Sequence, residues 1–209
     1  MFYVSEETVA ALVSQGLVTT AVEAMYKSMA REEAVNFPVV RETLHYAEAN
    51  FGFKSGFDRA GPTLGVKAGG LWPGNKLKGL LNHQSTVMLF DPESGAPLAL
   101  VRGTLLTVFR TAAATALSIR YLAIENASVL GIVGAGGQAE QQVRAALSER
   151  PFKELLICAR SEKQSQELAA RLTDAEVSIR VCEPKELAGR SDVIITVTPS
   201  RHAILSAEW

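Results

Sequence analysis

The stretch Ala127–Gln142 constrains the fold of this chain more than any other segment. It reads as an apolar run, a glycine turn and then a segment with helical spacing. Gly134, Gly136 and Ala139 match the G-x-G-x-x-G/A pattern of a dinucleotide-binding βαβ unit. In that unit Gly134 permits the tight turn, Gly136 lets the backbone approach a pyrophosphate, and Ala139 lets the helix lie close to the strand.

The sequence on both sides of the turn supports the same interpretation. The preceding residues 129–133 are apolar, as in a buried strand, and Lys153–Ala159 indicates a second strand after the helix. The helix would present unpaired N–H groups and its positive end to the phosphates. The alternative is a glycine turn in an α/β core that binds no nucleotide.

Composition limits the classes of partner and compartment. The 209 residues carry a formal net charge of −1 and no basic cluster, which argues against nucleic acid and against an anionic membrane surface. No apolar run approaches the roughly 18 residues of a membrane span, and the N-terminus does not resemble a secretory signal. We therefore expect a cytoplasmic protein without a membrane partner. Cys158 and Cys182 lie in apolar stretches, so we expect core thiols rather than a disulfide or a metal site.

The periodicity predicts two domains. Two helices open the chain, residues 37–101 alternate as strands, and Asp91–Gly95 forms a turn that joins two strands as a hairpin. An alanine-rich helix from Thr107 to Ala123 then precedes the strand–helix alternation. The predicted fold is α/β: an N-terminal α+β domain over residues 1–120, then a partial Rossmann domain over residues 121–209. Such a sheet usually has about six strands, so we expect the domain to be cut short at its C-terminus.

Arg110 is a candidate anion ligand. If Thr107 is the N-cap of the alanine-rich helix, Arg110 and Thr111 lie in its first turn, where a cation opposes the helix dipole unless an anion is in front of it. A cofactor pyrophosphate or a substrate carboxylate would supply that anion. The alternative is an exposed arginine that contacts water or a carboxylate of the protein.

Arg160 and Ser161 bear on which dinucleotide would bind. They follow the second strand of the unit, about 20 residues past the glycines, where NAD-binding proteins usually carry Asp or Glu for the ribose 2′-hydroxyl. A guanidinium and a hydroxyl suit a 2′-phosphate better, which favours NADP(H) over NAD(H). The alternative is that Arg160 stacks on adenine and both cofactors bind.

Three residues of the first domain could line a substrate site. Lys67 alternates with glycine on one side of the segment Thr63–Lys67, and Arg41 follows Phe37–Val40. Together the two cations could hold a carboxylate, and His83 could form a polar wall beside it. A solvated lysine and arginine and a structural histidine are the alternatives.

These segments, taken in order, resemble the ornithine cyclodeaminase/mu-crystallin family. The resemblance covers nearly the whole chain and depends on six stretches: Gly65–Lys67, Leu89–Pro97, Leu106–Ala114, Gly134–Ala139, Arg160–Ser161 and Ser191–Thr198. It implies a substrate and dimerisation domain before a Rossmann domain, NAD(P) as cofactor and a homodimer.

The resemblance also implies roles for individual residues. Arg41 would bind the substrate carboxylate, Lys67 would be the active-site lysine that contacts the substrate, and Arg110 with Thr111 would hold the cofactor phosphates. The matched turn and strand add three cofactor-binding candidates: Gly137, Gln138 and Thr198. The family's catalytic aspartate would lie in the region after Trp209.

Within the family, the segments Gly69–Asn75 and Gly79–Thr86 resemble reductases of Δ1-pyrroline-2-carboxylate. The expected reaction is hydride transfer from NAD(P)H to the C=N carbon of a cyclic imino acid, which gives L-proline. Three alternatives stay open: an ornithine cyclodeaminase that recycles its NAD, an alanine dehydrogenase, and a non-enzymatic binding protein like mu-crystallin. One methylene in a pocket changes specificity by only about 1–3 kcal/mol, so the pattern leaves the substrate open.

Overall fold

The chain folds into two compact units. The computed structural model describes residues 1–209, apart from the side chain of Lys76. The units are Met1–Arg110 and Thr111–Trp209. The division lies inside a helix, about ten residues before the domain boundary expected from the sequence, because Ala112 and Ala116 of that helix pack against Ala145 of the second unit.

The first unit is built on one sheet. Its strands are β1 (Phe2–Val4), β2 (Ala34–Asn36), β3 (Val40–Thr43), β4 (Asn50–Asp58), β5 (Thr63–Leu71), β6 (His83–Phe90) and β7 (Pro97–Arg102). Its helices are α1 (Glu6–Leu12), α2 (Gln15–Ala30) and a 3-10 turn over Pro73–Lys78. The strand order is β1-β7-β6-β5-β4-β2, with β3 paired to β4, and β1 alone pairs in parallel. The predicted hairpin around Asp91–Gly95 is therefore confirmed.

Helix α3 (Thr104–Leu122) begins one turn earlier than the sequence predicts. The prediction that Thr107 is its N-cap is wrong, because the N–H of Thr107 already donates to the carbonyl of Gly103 at 2.9 Å. The first turn is stabilised by the Glu6 carboxylate, which accepts the N–H of Leu105 and complements the helix dipole. Arg110 consequently lies in the second turn, where the argument from the dipole no longer requires an anion.

The second unit is a parallel α/β sandwich. Its elements after α3 are β8 (Val129–Val133), α4 (Ala139–Leu147), β9 (Glu154–Cys158), α5 (Glu162–Arg171), β10 (Ser178–Val181), α6 (Pro184–Arg190) and β11 (Val193–Thr196). The strands pair in parallel in the order β10-β9-β8-β11. This is the order of four strands of a Rossmann sheet. The strand order reverses between β8 and β11, so the topological switch point lies between these two strands.

The core of the second unit explains why these segments became strands. Leu130, Ile132, Leu155 and Ile157 of β8 and β9 are completely buried between helices. Parallel strands covered on both faces need continuous apolar runs rather than alternation. The predicted α/β fold with a parallel dinucleotide-type sheet is confirmed.

Among the residues that the structure describes, no single helix is long and apolar enough to cross a membrane. Helices α1 and α2, which meet at 90°, are long and apolar enough for a membrane span only when their residues are counted together, and this rests on length and composition alone.

Candidate functional site

The strand register of the first unit brings its three candidate substrate residues to one face of the sheet. Arg41 pairs with Gly52, Lys54 pairs with Lys67, and His83 pairs with Leu71. Because side chains two residues apart on a strand share a face, Arg41, Lys54, Lys67 and His83 all lie on the same side. We call Arg41, Lys54, Lys67 and Arg110 the cationic cluster, and His83 lies beside it.

Two buried hydroxyl groups lie next to the ammonium group of Lys67. Its Nζ donates to Oγ1 of Thr107 at 3.3 Å, and that oxygen lies 3.2 Å from Oγ of Ser85. Thr107 and Ser85 are both buried, 5% exposed, while Lys67 is half-buried. The hydroxyl that sequence analysis assigned to a helix cap therefore positions the ammonium group instead.

The electrostatics of the cluster favour an anion. Burial, followed by the charges of Arg110, Lys54 and Arg41, lowers the pKa of Lys67 from 10.5 to about 8. Burial also lowers the pKa of His83, with the charges of Lys67 and Arg110 adding to the effect, so its imidazole is neutral near neutral pH. A carboxylate placed here would interact with several cations at once.

Two members of the cluster differ from expectation. Lys54 lies directly opposite Lys67, and sequence reasoning missed it because the pairing of β4 with β5 decides it. Arg110 is exposed and contributes charge to this cluster from the second turn of α3. Its predicted role as a cofactor-phosphate ligand stays a prediction.

In the second unit the glycine turn has the geometry that its sequence predicts. Gly134 has φ +108°, and a Cβ there would lie 2.9 Å from the carbonyl oxygen of Val197. A Cβ at Gly136 or Gly137 would meet nothing within 4 Å, so the backbone there is open to a ligand. Ala139 is fully buried at the start of α4, as close helix–strand contact requires.

A cavity of about 380 Å³ lies beside this turn, at the carboxyl ends of β8 and β11. Its polar lining comes from Thr111, Thr115, Gln138, Gln142, Thr196 and Thr198. Among the described residues, the Oε1 atoms of Gln138 and Gln142 are buried and have no hydrogen-bond partner. Buried acceptors normally find donors, so the cavity suits a ligand with hydroxyl or amide N–H groups.

Gln142 is the clearest residue that sequence reasoning missed. It is 2% exposed and lies on the first turns of α4, on the side that faces the cavity. A glutamine four residues after Gln138 was a sequence signal for this, because positions i and i+4 share a helix face. The structure brings Thr111, Gln138 and Thr198 of the predicted set to the same cavity.

Arg160 and Ser161 lie at the carboxyl end of β9. Both are exposed, and Ser161 is the N-cap of α5, where its Oγ accepts the N–H of Gln164 at 3.4 Å. The cap occupies one acceptor position of that hydroxyl and leaves its proton available to donate. Neither side chain lines the cavity beside the glycine turn. Among the described residues, no group of three or more His, Cys, Asp or Glu side chains could hold a metal ion.

The chain is similar to several known oxidoreductases. It is 43% identical over 208 residues to the iminosuccinate reductase of Paracoccus denitrificans (strain Pd 1222), covering 100% of this chain and 65% of that protein. The crystal structure of that reductase in complex with NAD+ matches with a TM-score of 0.88, 44% identity and coverage of 96% and 62% of the two chains.

Two further solved structures have the same fold as this chain. Thermococcus litoralis Δ1-pyrroline-2-carboxylate reductase in complex with NADH and L-proline matches with a TM-score of 0.92 and 27% identity, over 98% of this chain and 64% of that one. An archaeal alanine dehydrogenase dimer with bound NAD matches with a TM-score of 0.92 and 31% identity, over 100% and 64%. The chain thus spans less than two thirds of the length of these relatives.

The model of one family describes the chain almost from end to end. It matches residues 3–209 and carries the description ornithine cyclodeaminase/mu-crystallin family. The resemblance stated from the sequence motifs is therefore confirmed. The chain belongs to the ornithine cyclodeaminase/mu-crystallin family.

Proposed function

We propose that this protein is an NAD(P)H-dependent reductase of an imino acid. The observation that carries the proposal is the half-buried Lys67 ammonium, which is held by Thr107 among further positive charges on one face of the sheet. Such a group is stabilised by a substrate carboxylate. The reductases among the relatives support the same reaction class.

The dinucleotide would be held by the second unit. Gly136 and Gly137 would offer open backbone to a pyrophosphate, and the two unpaired carboxamide oxygens in the adjacent cavity would accept hydrogen bonds from the ribose hydroxyls or the nicotinamide carboxamide. The relatives' structures contain NAD+ or NADH, so NAD(H) is the first cofactor to test. Arg160 and Ser161 are the observation that favours NADP(H) instead.

When bound, the reduced nicotinamide supplies the hydride for the C=N carbon of the substrate. The chain's own residues orient the substrate and manage the proton. Arg41 and Lys67 would fix the carboxylate, and neutral His83 would form a polar wall without adding charge. The imine nitrogen needs one proton, and the Lys67 ammonium, which burial and the neighbouring cations make more acidic than an ordinary lysine, would be its donor.

The sequence motifs favour Δ1-pyrroline-2-carboxylate, but the cationic cluster favours a second candidate. A single carboxylate would leave most of the charges of Lys67, Arg41, Lys54 and Arg110 uncompensated. Iminosuccinate carries two carboxylates, and a relative that is 43% identical is named for it. We therefore place iminosuccinate first among the substrates, with L-aspartate as the product.

We propose that the protein forms a homodimer through the face of the first unit's sheet that is opposite the cationic cluster. Phe53 and Val40 pair across β4 and β3 on that face and are 44% and 47% exposed. Val66, Met88 and Leu100 continue the apolar strip across β5, β6 and β7. A second copy would bury this strip, and one related structure is a dimer. Sedimentation equilibrium, with Phe53→Lys as the disrupting variant, tests this.

The test of the function measures reduced-cofactor absorbance with a panel of substrates. NADH and NADPH are each offered with Δ1-pyrroline-2-carboxylate, with oxaloacetate plus ammonia as the source of iminosuccinate, and with pyruvate plus ammonia. Ornithine with NAD+ runs in parallel, with ammonia and proline as readouts. Oxidation of cofactor with an imine supports the proposal and names its substrate. Proline from ornithine without net cofactor change indicates a cyclodeaminase.

Oxidation only with pyruvate and ammonia indicates an alanine dehydrogenase. Cofactor binding without turnover of any substrate contradicts the reductase proposal and leaves a binding protein. Lys27→Met is the matched control for variants of Lys67, because Lys27 is an exposed lysine of the same unit that pairs with Glu23.

A further inference from the structure

The two cysteines of the chain lie side by side, although 23 residues separate them in sequence. Cys158 is the last residue of β9, and Cys182 directly follows β10. Val181 pairs with Ile157, and the N–H of Cys182 donates to the carbonyl of Ile157 at 3.1 Å, so the parallel ladder continues one residue further. The register therefore places Cys182 next to Cys158.

The spacing of parallel strands brings the two backbones within reach of a disulfide. Neighbouring strands lie about 4.8 Å apart, and disulfides join Cα atoms separated by about 4.4–6.8 Å. Both side chains also point to the same face of the sheet, where they belong to one apolar cluster with Val133, Leu156 and Leu187. Both cysteines are free thiols.

We propose that Cys158 and Cys182 are a thiol pair that sustained exposure to peroxide closes into an intrachain disulfide. Cys182 is half-buried and Cys158 is 7% exposed, so peroxide reaches Cys182 first. The Cys182 thiol loses its proton, the thiolate attacks one peroxide oxygen, and the O–O bond breaks to give a sulfenic acid and hydroxide, which takes up that proton and leaves as water. Cys158 then attacks the sulfenic sulfur, the S–S bond forms and a second water leaves. Two electrons pass from the sulfurs to the peroxide, and a thiol reductant reverses the change.

The disulfide would act on the glycine turn. The carbonyl of Cys158 accepts the N–H of Gly134 at 2.7 Å, and Arg160 follows two residues later. A disulfide holds its Cβ atoms about 3.5–4.5 Å apart, closer than two parallel strands normally leave them. Closing the bond therefore pulls the ends of β9 and β10 together and shifts the Cys158 carbonyl. A loss of dinucleotide affinity on oxidation follows, and this part depends on the proposed function.

The environment sets the rate of the reaction. Burial raises the pKa of both thiols, and the carboxylates of Glu183 and Glu186 add to the rise at Cys158 and Cys182 respectively. The thiolate is the nucleophile, so oxidation is slow at neutral pH and accelerates as the pH rises. The pair thus responds to sustained peroxide rather than to a brief exposure.

The experiment treats the whole chain with hydrogen peroxide and counts thiols under denaturing conditions with Ellman's reagent. We expect both thiols to disappear, a mass lower by two hydrogen atoms, a monomer band on a non-reducing gel, and recovery with dithiothreitol. Cys182→Ser and Cys158→Ser should each lose this product and retain wild-type circular dichroism. NADH titration of the oxidised and re-reduced protein then measures affinity, which should fall several-fold on oxidation.

The outcomes separate the two proposals. Two surviving thiols, a covalent dimer, or only sulfinic acid would overturn the disulfide. A disulfide with unchanged NADH affinity would support the disulfide and refute its proposed effect on the glycine turn. Failure of the reduced protein to bind either dinucleotide would contradict the proposed function and leave the thiol result standing.

Discussion

Replacing Lys67 by methionine should make the protein more stable and the reaction slower. Burial, followed by the charges of Arg110, Lys54 and Arg41, lowers the pKa of Lys67 from 10.5 to about 8. Carrying the proton at neutral pH therefore costs folding free energy, roughly 3 kcal/mol before screening, because lowering a pKa by one corresponds to about 1.4 kcal/mol. Because Lys67 is only half-buried, screening reduces the cost, and we expect about 1–1.5 kcal/mol.

The pH dependence of this gain has a definite sign. Between about pH 8 and pH 10.5 the unfolded chain retains the Lys67 proton while the folded protein has lost it, so wild-type stability rises with pH across this window. Methionine carries no proton in either state. The advantage of Lys67→Met should therefore be complete below about pH 8 and disappear as the pH approaches 10.5.

Urea unfolding of the wild type and of Lys67→Met, at neutral pH and at high pH, measures the difference in their free energies of unfolding. The contributions of other titrating groups cancel in that difference. The same variant should lose about 10- to 150-fold in kcat/KM for its imine substrate, since a charge-assisted hydrogen bond contributes about 1.5–3 kcal/mol. Lys27→Met should leave kcat/KM unchanged and lower stability only by the roughly 0.2–0.5 kcal/mol of an exposed i,i+4 ion pair. A stability difference that does not vary with pH would contradict a buried ammonium at position 67, and a kcat/KM equal to that of the wild type would exclude Lys67 as a substrate ligand.

The remaining predictions concern the second unit. Gly134→Ala should destabilise the protein by about 2–4 kcal/mol in urea unfolding, because φ is +108° and the new Cβ lies 2.9 Å from the Val197 carbonyl oxygen. Gly137→Ala is the control: its Cβ enters open space, so it should cost less than about 1 kcal/mol. Equal losses of stability in the two variants would contradict this account. Gln142→Leu removes a buried unpaired acceptor, so it should leave the free energy of unfolding unchanged or raise it by up to about 1 kcal/mol. The same variant should bind NADH about tenfold more weakly in a fluorescence titration, and unchanged NADH affinity would exclude Gln142 as a ligand. Arg160→Glu should lower the ratio of NADPH to NADH affinity about 10- to 100-fold, and an unaltered ratio would remove Arg160 from the 2′-phosphate site.

The sequence predicts the second unit well because local signals there agree with the global fold. Apolar runs at β8 and β9 need burial on both faces, and Gly134 needs a positive φ that few other residues tolerate. These are properties of a few consecutive residues, so they can be recognised before any tertiary contact is known. The start of α3 is the counterexample, because the Glu6 carboxylate that stabilises it comes from a distant segment.

The glycine turn, the α/β class, the family and most candidate residues taken one at a time can be recognised from the sequence alone. Which of these residues meet depends on the folded chain: Lys54 joins Lys67 through the register of β4 and β5, Gln142 faces the same cavity as Thr198, and Cys158 lies beside Cys182. Dihedral preferences and hydrophobic periodicity are local properties. Strand register, by contrast, depends on the packing of whole faces, and it alone brings residues far apart in sequence within reach of one ligand.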